Sequence, residues 1–252
     1  MQRINQLYSA FGSHFKIPFM EKYGMKQYTN HHEPVFFFGC YGNQIERAFE
    51  NKNKVKIAWT GGDCWAFIHN QDYVKRMKSR PDIEHIAISH FIQSDLTSVG
   101  ISSTLFPIVP NKNDDIEPHP GGEKIYAYKS AYNPPLFRRL KKELPQFEFV
   151  DARLHTFNRK ELLKVYRESF IGLRFTLHDG CSNTCVEMGL SGKRVIHNGQ
   201  MPNTIPFDLK NIEEIKKNIL EEYENRNSND YIDIYKDTKD YIDIGDSFLY
   251  FD

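Results

Sequence analysis

The sequence contains no long apolar run, no surplus of charge of either sign and little cysteine. No stretch approaches the ~20 consecutive apolar residues that cross a bilayer, so an integral membrane segment is not expected, although contact with a membrane surface stays open. Lys plus Arg number 33 and Asp plus Glu 33, so no overall field steers the chain towards nucleic acid. Nucleic acid is not an expected partner, and any anion site must be local. The four cysteines, Cys40, Cys64, Cys181 and Cys185, form no CxxC pair, and no secretory apolar region precedes them. That pattern predicts structural thiols in a reducing, cytoplasmic setting. Cys181 and Cys185 are spaced to share a helix face, but two ligands without a second pair do not make a zinc site. No architectural repeat is present, since the two Tyr-Ile-Asp-Ile matches at Tyr231 and Tyr241 are too short to be one.

What is present is apolar surface: 40% of the 252 residues are hydrophobic and 14% aromatic, enough for a packed core. The length exceeds the roughly 100–150 residues of a common domain, which favours two modest domains. In the first thirty residues Tyr8, Phe11, Phe15, Phe19 and Tyr23 are spaced three or four apart, which predicts an amphipathic helix or an irregular packing layer. From residue 34 short apolar runs alternate with glycine loops and helical stretches. Val35-Phe36-Phe37-Phe38 leads into Gly39-Cys40-Tyr41-Gly42 and a helix over 43–51. Val55-Lys56-Ile57-Ala58-Trp59 leads into Thr60-Gly61-Gly62-Asp63, a strand over 83–89 into a helix over 93–100, and a last strand covers 104–109. Residues 110–122, rich in Pro, Gly, Asn and Asp, read as the linker. The same grammar resumes with strands at 124–128, 147–150, 170–177 and 194–197 and helices at 134–143, 159–169, 184–190 and 212–225. Strands alternating with helices predict parallel sheets covered on both faces.

Two such halves would leave a cleft at the carboxyl ends of their strands, where open α/β proteins bind ligands. The strongest motif runs from Gly172 to Glu187: a strand leaves through Asp179-Gly180, and a helix begins at Ser182-Asn183-Thr184. A helix start offers unpaired N–H groups and partial positive charge, which suits a diphosphate. Arg174 can add a charge-assisted contact to the same phosphates. Glu187, about one turn into the helix, is placed to accept hydrogen bonds from a ribose. Taken singly, these residues are better read as an ordinary N-cap and a solvated helix acid.

Taken jointly, Asp179 and Glu187, with seven residues between them, resemble the acidic pair of the retaining GT-B glycosyltransferases, the superfamily that includes glycosyltransferase family 4. The usual form has Glu at both ends. The following Met188-Gly189-Leu190-Ser191-Gly192-Lys193-Arg194-Val195-Ile196 is similar to that family's turn and next strand, and the similarity spans about 124–225. The resemblance implies an α/β protein of two Rossmann-like parallel-sheet domains facing a cleft, with a shortened N-terminal domain. Residues 1–120 would form the acceptor-side domain and 121–226 the nucleotide-sugar donor domain, with 227–252 a tail packing back on the first. It implies a hexosyltransferase-like enzyme using a nucleotide-diphosphate sugar and a carbohydrate acceptor, with no cofactor and no metal. Glu187 would contact the donor ribose, Asp179 the transferred sugar, and Lys129, with Ser130 beside it, the donor phosphates. Gly180 and Ser182 to Thr184 would complete the donor site, and Arg153, within Asp151-Ala152-Arg153-Leu154-His155, the nucleobase loop. On the acceptor side, the loop from Gly39 to Gly42, or alternatively Gly61-Gly62-Asp63, would approach the donor. Retention would use a donor phosphate oxygen as base, whereas inversion would need Asp63 or His90. A nucleotide-sugar epimerase or hydrolase, or a non-catalytic binder, fits the same fold, and the oligomeric state is not assigned.

Overall fold

The computed structural model describes residues 2–111, 113–154 and 157–251, which separate into two units. The first takes Met1–Lys112, Asp179–Cys181 and Asp243–Asp252, and the second Asn113–His178 and Ser182–Ile242. The first division along the chain falls at 112/113 rather than at 120/121. The reason lies in residues 119–122: Lys193 Nζ donates to the carbonyls of His119, Pro120 and Ser191, and Gly121 N donates to the Arg226 carbonyl (2.6 Å). These bonds tie the latter part of the linker into the second unit.

The first unit runs β1 (Gln2–Arg3), β2 (Gln6–Ser9), α1 (Ser13–Tyr23), β3 (Lys26–Gln27), β4 (Val35–Phe38), α2 (Gln44–Glu50), β5 (Val55–Trp59), α3 (Gly62–Ile68), α4 (Gln71–Lys78), β6 (Ile83–Ala87), α5 (His90–Ser98) and β7 (Thr104–Leu105). Its sheet is six-stranded and parallel, in the order β3-β2-β4-β5-β6-β7. Every residue of β4 and β5 is buried, as expected of strands covered on both faces. Lys56 is tolerated there because its ammonium reaches Glu84 (2.8 Å) and the Tyr250 carbonyl (2.6 Å). The aromatic spacing near the N-terminus resolves differently from a single helix. Phe15, Phe19 and Tyr23 belong to α1, but Tyr8 lies on β2, opposite Phe37 and stacked on it at 4.9 Å. The cross-strand partner decides this, and no local spacing reveals it. The strand expected over 104–109 pairs only at Thr104 and Leu105, since Pro107 has no N–H for a ladder.

The second unit runs β8 (Lys124–Ala127), α6 (Pro134–Glu143), β9 (Glu148–Asp151), α7 (Arg159–Glu168), β10 (Ser169–Leu173), α8 (Asn183–Leu190), β11 (Arg194–Ile196), β12 (Thr204–Ile205), α9 (Ile212–Asn225) and α10 (Asp230–Ile242). The five strands are parallel in the order β12-β11-β10-β8-β9. The helices begin where their sequences stipulate. Asn133 caps α6 ahead of Pro134, and Asn158 with Glu161 forms a reciprocal capping box on α7. Ile212, Ile215 and Ile219 form the buried face of α9. Of the tail, α10 belongs to the second unit, whereas β13 (Tyr250–Phe251) pairs antiparallel with β1 in the first.

One half-buried histidine of β6 is expected to make the first unit sensitive to acid. The Trp59 indole donates to His85 Nδ1 (3.1 Å), which fixes a neutral ring with its proton on Nε2, and burial pushes His85 down to about 4. The unfolded chain takes up this proton near pH ~6.5, so the stability tied to a neutral His85 is present above that pH and lost as pH falls towards about 4. The expected loss is up to about 3 kcal/mol, read from urea unfolding at about pH 7.5 and about pH 4.5. His85→Gln keeps an acceptor for the indole and should flatten this dependence; an unaltered slope would place its origin elsewhere.

Candidate functional site

At the carboxyl ends of β8 and β10 the second unit holds an unusual piece of backbone. Lys129, Ser130, Ala131 and Tyr132 all have positive φ (46°, 51°, 53° and 62°), a left-handed turn made without glycine. Each such residue costs roughly 1–2 kcal/mol, so the turn needs support. Asp151, buried at the end of β9, provides it. Its carboxylate accepts from Ser130 N (2.7 Å), Ser130 Oγ (2.8 Å) and Arg153 N (2.9 Å), while Phe175 N donates to the Ala131 carbonyl (2.8 Å). Burial acts to raise the Asp151 carboxyl, but these donors outweigh it and hold it below the ordinary carboxylate value.

The turn presents Lys129 to solvent at the end of one strand, and Arg174 leaves the neighbouring strand beside it, since Tyr128 N still pairs with the Leu173 carbonyl (3.1 Å). The Arg174 guanidinium lies over Tyr128 (4.5 Å) and Tyr132 (5.0 Å), and Lys129 Nζ is 5.3 Å from the Tyr128 ring. Two cations thus gather on one tyrosine pair, an arrangement suited to an anionic ligand. His197, which the sequence reading passed over, closes β11: its Nδ1 accepts from Gly199 N (2.9 Å), so its Nε2 donates to Thr176 Oγ1 (3.1 Å) in the loop after Arg174. Arg153 is exposed, and His155 of the same loop lies outside the described residues.

Helix α8 starts as its sequence predicts. Ser182 Oγ accepts from Cys185 N (3.4 Å), Ser182 and Thr184 are buried, and Asn183 is half-buried. Glu187 is buried one turn in, and both oxygens have partners: Oε1 accepts from Arg159 Nη1 (2.6 Å) and Oε2 from the Tyr166 hydroxyl (3.0 Å). Arg159 also forms a two-pronged pair with Asp115 (2.8 and 3.0 Å). Asp115 lies exposed in a turn of the linker and pairs there with Arg159, whose guanidinium holds its carboxyl below the ordinary value. Burial, reinforced by the Glu187 charge, pushes the Tyr166 phenol well up. Arg159 and Tyr166 were not legible as site residues because they lie 28 and 21 positions from Glu187.

The first unit has its own cluster at the carboxyl ends of β4 and β5. Asp63 has no exposure, and its carboxylate accepts from Cys40 N (2.9 Å), Thr60 N (2.9 Å), Gly61 N (2.9 Å) and Thr60 Oγ1 (3.1 Å). Burial raises the Asp63 carboxyl, and the donors oppose that shift. Asp63 is here a staple between two glycine loops; without solvent access it is not placed to deprotonate an acceptor. Gly61 has φ 138°, a conformation reserved for glycine. Gly39 (φ 75°) and Gly42 (φ 52°) frame the other loop, and His90 is the exposed first residue of α5.

Asp179 and Gly180 belong to this first unit, apart from Glu187 in the second. Ser89 Oγ donates to the Asp179 carbonyl (3.0 Å), and Asp179 Oδ1 accepts from Gly180 N (2.9 Å). A Cβ on Gly180 would collide with the Thr60 carbonyl, which accounts for glycine there. Among the described residues, no group of three or more His, Cys, Asp or Glu is arranged to hold a metal.

No protein-family profile matches the chain, and no curated protein matches it significantly. Solved structures do. A TarM structure aligns with TM-score 0.54 at 10% identity over 87% of this chain and 53% of its own. A TarM variant from S. aureus, in complex with fondaparinux, alpha-GlcNAc-glycerol and UDP, aligns with TM-score 0.58 at 13% identity over 85% and 53%. Sucrose-phosphate synthase from Thermosynechococcus elongatus aligns with TM-score 0.51 at 11% identity over 90% and 71%. The chain spans about half the length of the TarM chains it matches, and at these identities the likeness is one of fold. With two Rossmann-like parallel-sheet units in one polypeptide, the chain has the GT-B fold of these glycosyltransferases.

Proposed function

We propose that the chain is a glycosyltransferase that moves a hexose-type sugar from a nucleoside-diphosphate donor to a carbohydrate acceptor, with retention at the anomeric carbon. The observation that carries this reading is the cationic strand-end site of the second unit of a GT-B fold, where Lys129 lies over the Tyr128 ring and Arg174 over the Tyr128 and Tyr132 rings. Departure of the nucleoside diphosphate builds negative charge on its phosphate oxygens. Preorganised cations and the α8 helix start stabilise that charge more in the transition state than in the ground state. In this reading Lys129 and Arg174 neutralise the leaving diphosphate, residues 182–184 donate to it, and Glu187 contacts the ribose; Ser130 gives its N–H and hydroxyl to Asp151 and so holds the turn that carries Lys129. Asp179 borders the transferred sugar. A donor phosphate oxygen takes the acceptor proton on the face the leaving group vacates. The diphosphate is thus neutralised by side chains and backbone dipoles, without a dedicated metal.

The test is a thermal-shift panel of UDP-, GDP-, dTDP- and CMP-sugars, followed by donor turnover with and without oligosaccharide acceptors. The UDP in the TarM complex makes uridine nucleotides the first choice. Arg174→Ala should weaken the stabilising donor by about 1–3 kcal/mol, as loss of a charge-assisted contact does. No shift with any nucleotide sugar would end the donor-site reading. Product NMR reads the stereochemistry, and an inverted anomeric centre would end the retaining one.

A further inference from the structure

The chain has two tryptophans, and the fold treats them oppositely: Trp59 is fully buried, whereas Trp65 is 57% exposed. Trp65 lies on the outer face of α3 and is braced there. His69 Nδ1 donates to the Trp65 carbonyl (2.7 Å), and its imidazole sits 4.5 Å from the indole at 36°. One helical turn earlier, Gly62 leaves the backbone bare, and the ring of Tyr41, 39% exposed, lies 3.7 Å from where a Cβ would stand. The Tyr41 ring meets Phe11 edge-on (centroids 6.2 Å apart, 82° between planes). Residues three apart on a helix are neighbours, with about 5–6 Å between their Cβ positions. The indole and the phenol therefore flank Gly62 beside the loops that follow β4 and β5.

The rim of this pair is small and polar. Gly62, Ala66, His69 and Asn70 are exposed around Trp65, and the one aliphatic group among them is the Ala66 methyl. A protein-binding patch would present a more continuous apolar centre. A pyranose ring instead offers a C–H face to an aromatic ring and hydroxyls to polar neighbours at its edge. We propose that Trp65 and Tyr41 form a stacking platform for a pyranose ring of the acceptor glycan, with His69 as the residue that positions the indole. The proposal rests on the reading of the first unit as the acceptor side.

The contrast between the two tryptophans supplies the experiment. In the full chain, acrylamide quenches the exposed indole and spares the buried one, so fluorescence quenching reports on Trp65 alone. Cello-, malto-, manno- and chito-oligosaccharides are titrated, with nucleotide-sugar binding measured in parallel. At least one oligosaccharide series should protect Trp65 from quenching. Trp65→Ala should remove the quenchable component and weaken that oligosaccharide by about tenfold, and Trp65→Tyr should keep most of the affinity. Nucleotide-sugar binding without protection by any of the oligosaccharides overturns the platform and leaves the glycosyltransferase reading standing. Protection by anionic phospholipid vesicles and by none of the sugars also overturns it, in favour of membrane contact. Binding of neither nucleotide sugar nor oligosaccharide ends both readings.

Discussion

Asp63→Ala is expected to destabilise the protein by about 3–5 kcal/mol, because it leaves three backbone N–H groups, two of them buried, without an acceptor. Cys40, Thr60 and Gly61 all donate to this carboxylate at 2.9 Å; Cys40 and Gly61 are buried and Thr60 is half-buried. The effect exceeds that of a single lost bond, since the two glycine loops are held to one another through this side chain. Asp63→Asn should be milder: the amide oxygen can serve the Thr60 and Gly61 donors, but its NH2 then faces the Cys40 N–H. Urea unfolding followed by circular dichroism measures both. A stable Asp63→Ala protein, within about 1 kcal/mol of the parent, would show that the loops hold without the staple and would return Asp63 to candidacy as a base.

Glu187→Ala is the second large effect, with an expected loss of about 3 kcal/mol. Removing one partner of a buried charge pair generally costs roughly 3–5 kcal/mol. The lower end applies here because Arg159 keeps Asp115 and its side chain is 37% exposed. The deeply buried Tyr166 hydroxyl, however, loses its acceptor. Alanine therefore confounds folding with donor binding at this position, and Glu187→Gln separates them. Glutamine can still accept from Arg159 through its carbonyl, and its NH2 can donate to the Tyr166 oxygen. The Gln variant should fold and yet bind the stabilising nucleotide sugar about 1–3 kcal/mol more weakly, as expected when a ribose contact loses its charge. Undiminished donor affinity in a folded Gln variant would leave Glu187 a structural residue of the Asp115, Arg159 and Tyr166 network.

These two carboxylates show where sequence reasoning stopped. Ser182 as a helix start and Glu187 one turn inside it were legible, because N-cap chemistry and helical spacing act within a few residues. The partners that define what Glu187 does come from α7, and nothing in the local pattern of Arg159 or Tyr166 points to them. Asp151 is similar: the strand it ends was readable, but its grip on Ser130, 21 residues away, was not. Nor was the left-handed run from Lys129 to Tyr132 legible, since residues with that backbone are usually glycine and here none is. Tyr8 failed in the opposite direction, because its helical spacing was real but its partner on β4 took precedence.

The sequence alone determined the alternation of strands and helices, the parallel sheets and the capped helix behind Gly180, all consequences of interactions spanning a few residues. Tertiary structure decided the rest. It joined β13 to β1 across almost the whole chain, assigned residues 179–181 to the first unit, and buried Asp63 under four donors. It also fixed the cation pair on the Tyr128 and Tyr132 rings. Hydrogen-bond satisfaction and burial are properties of the assembled core, and they set the role of a charged side chain only once the distant donors have arrived.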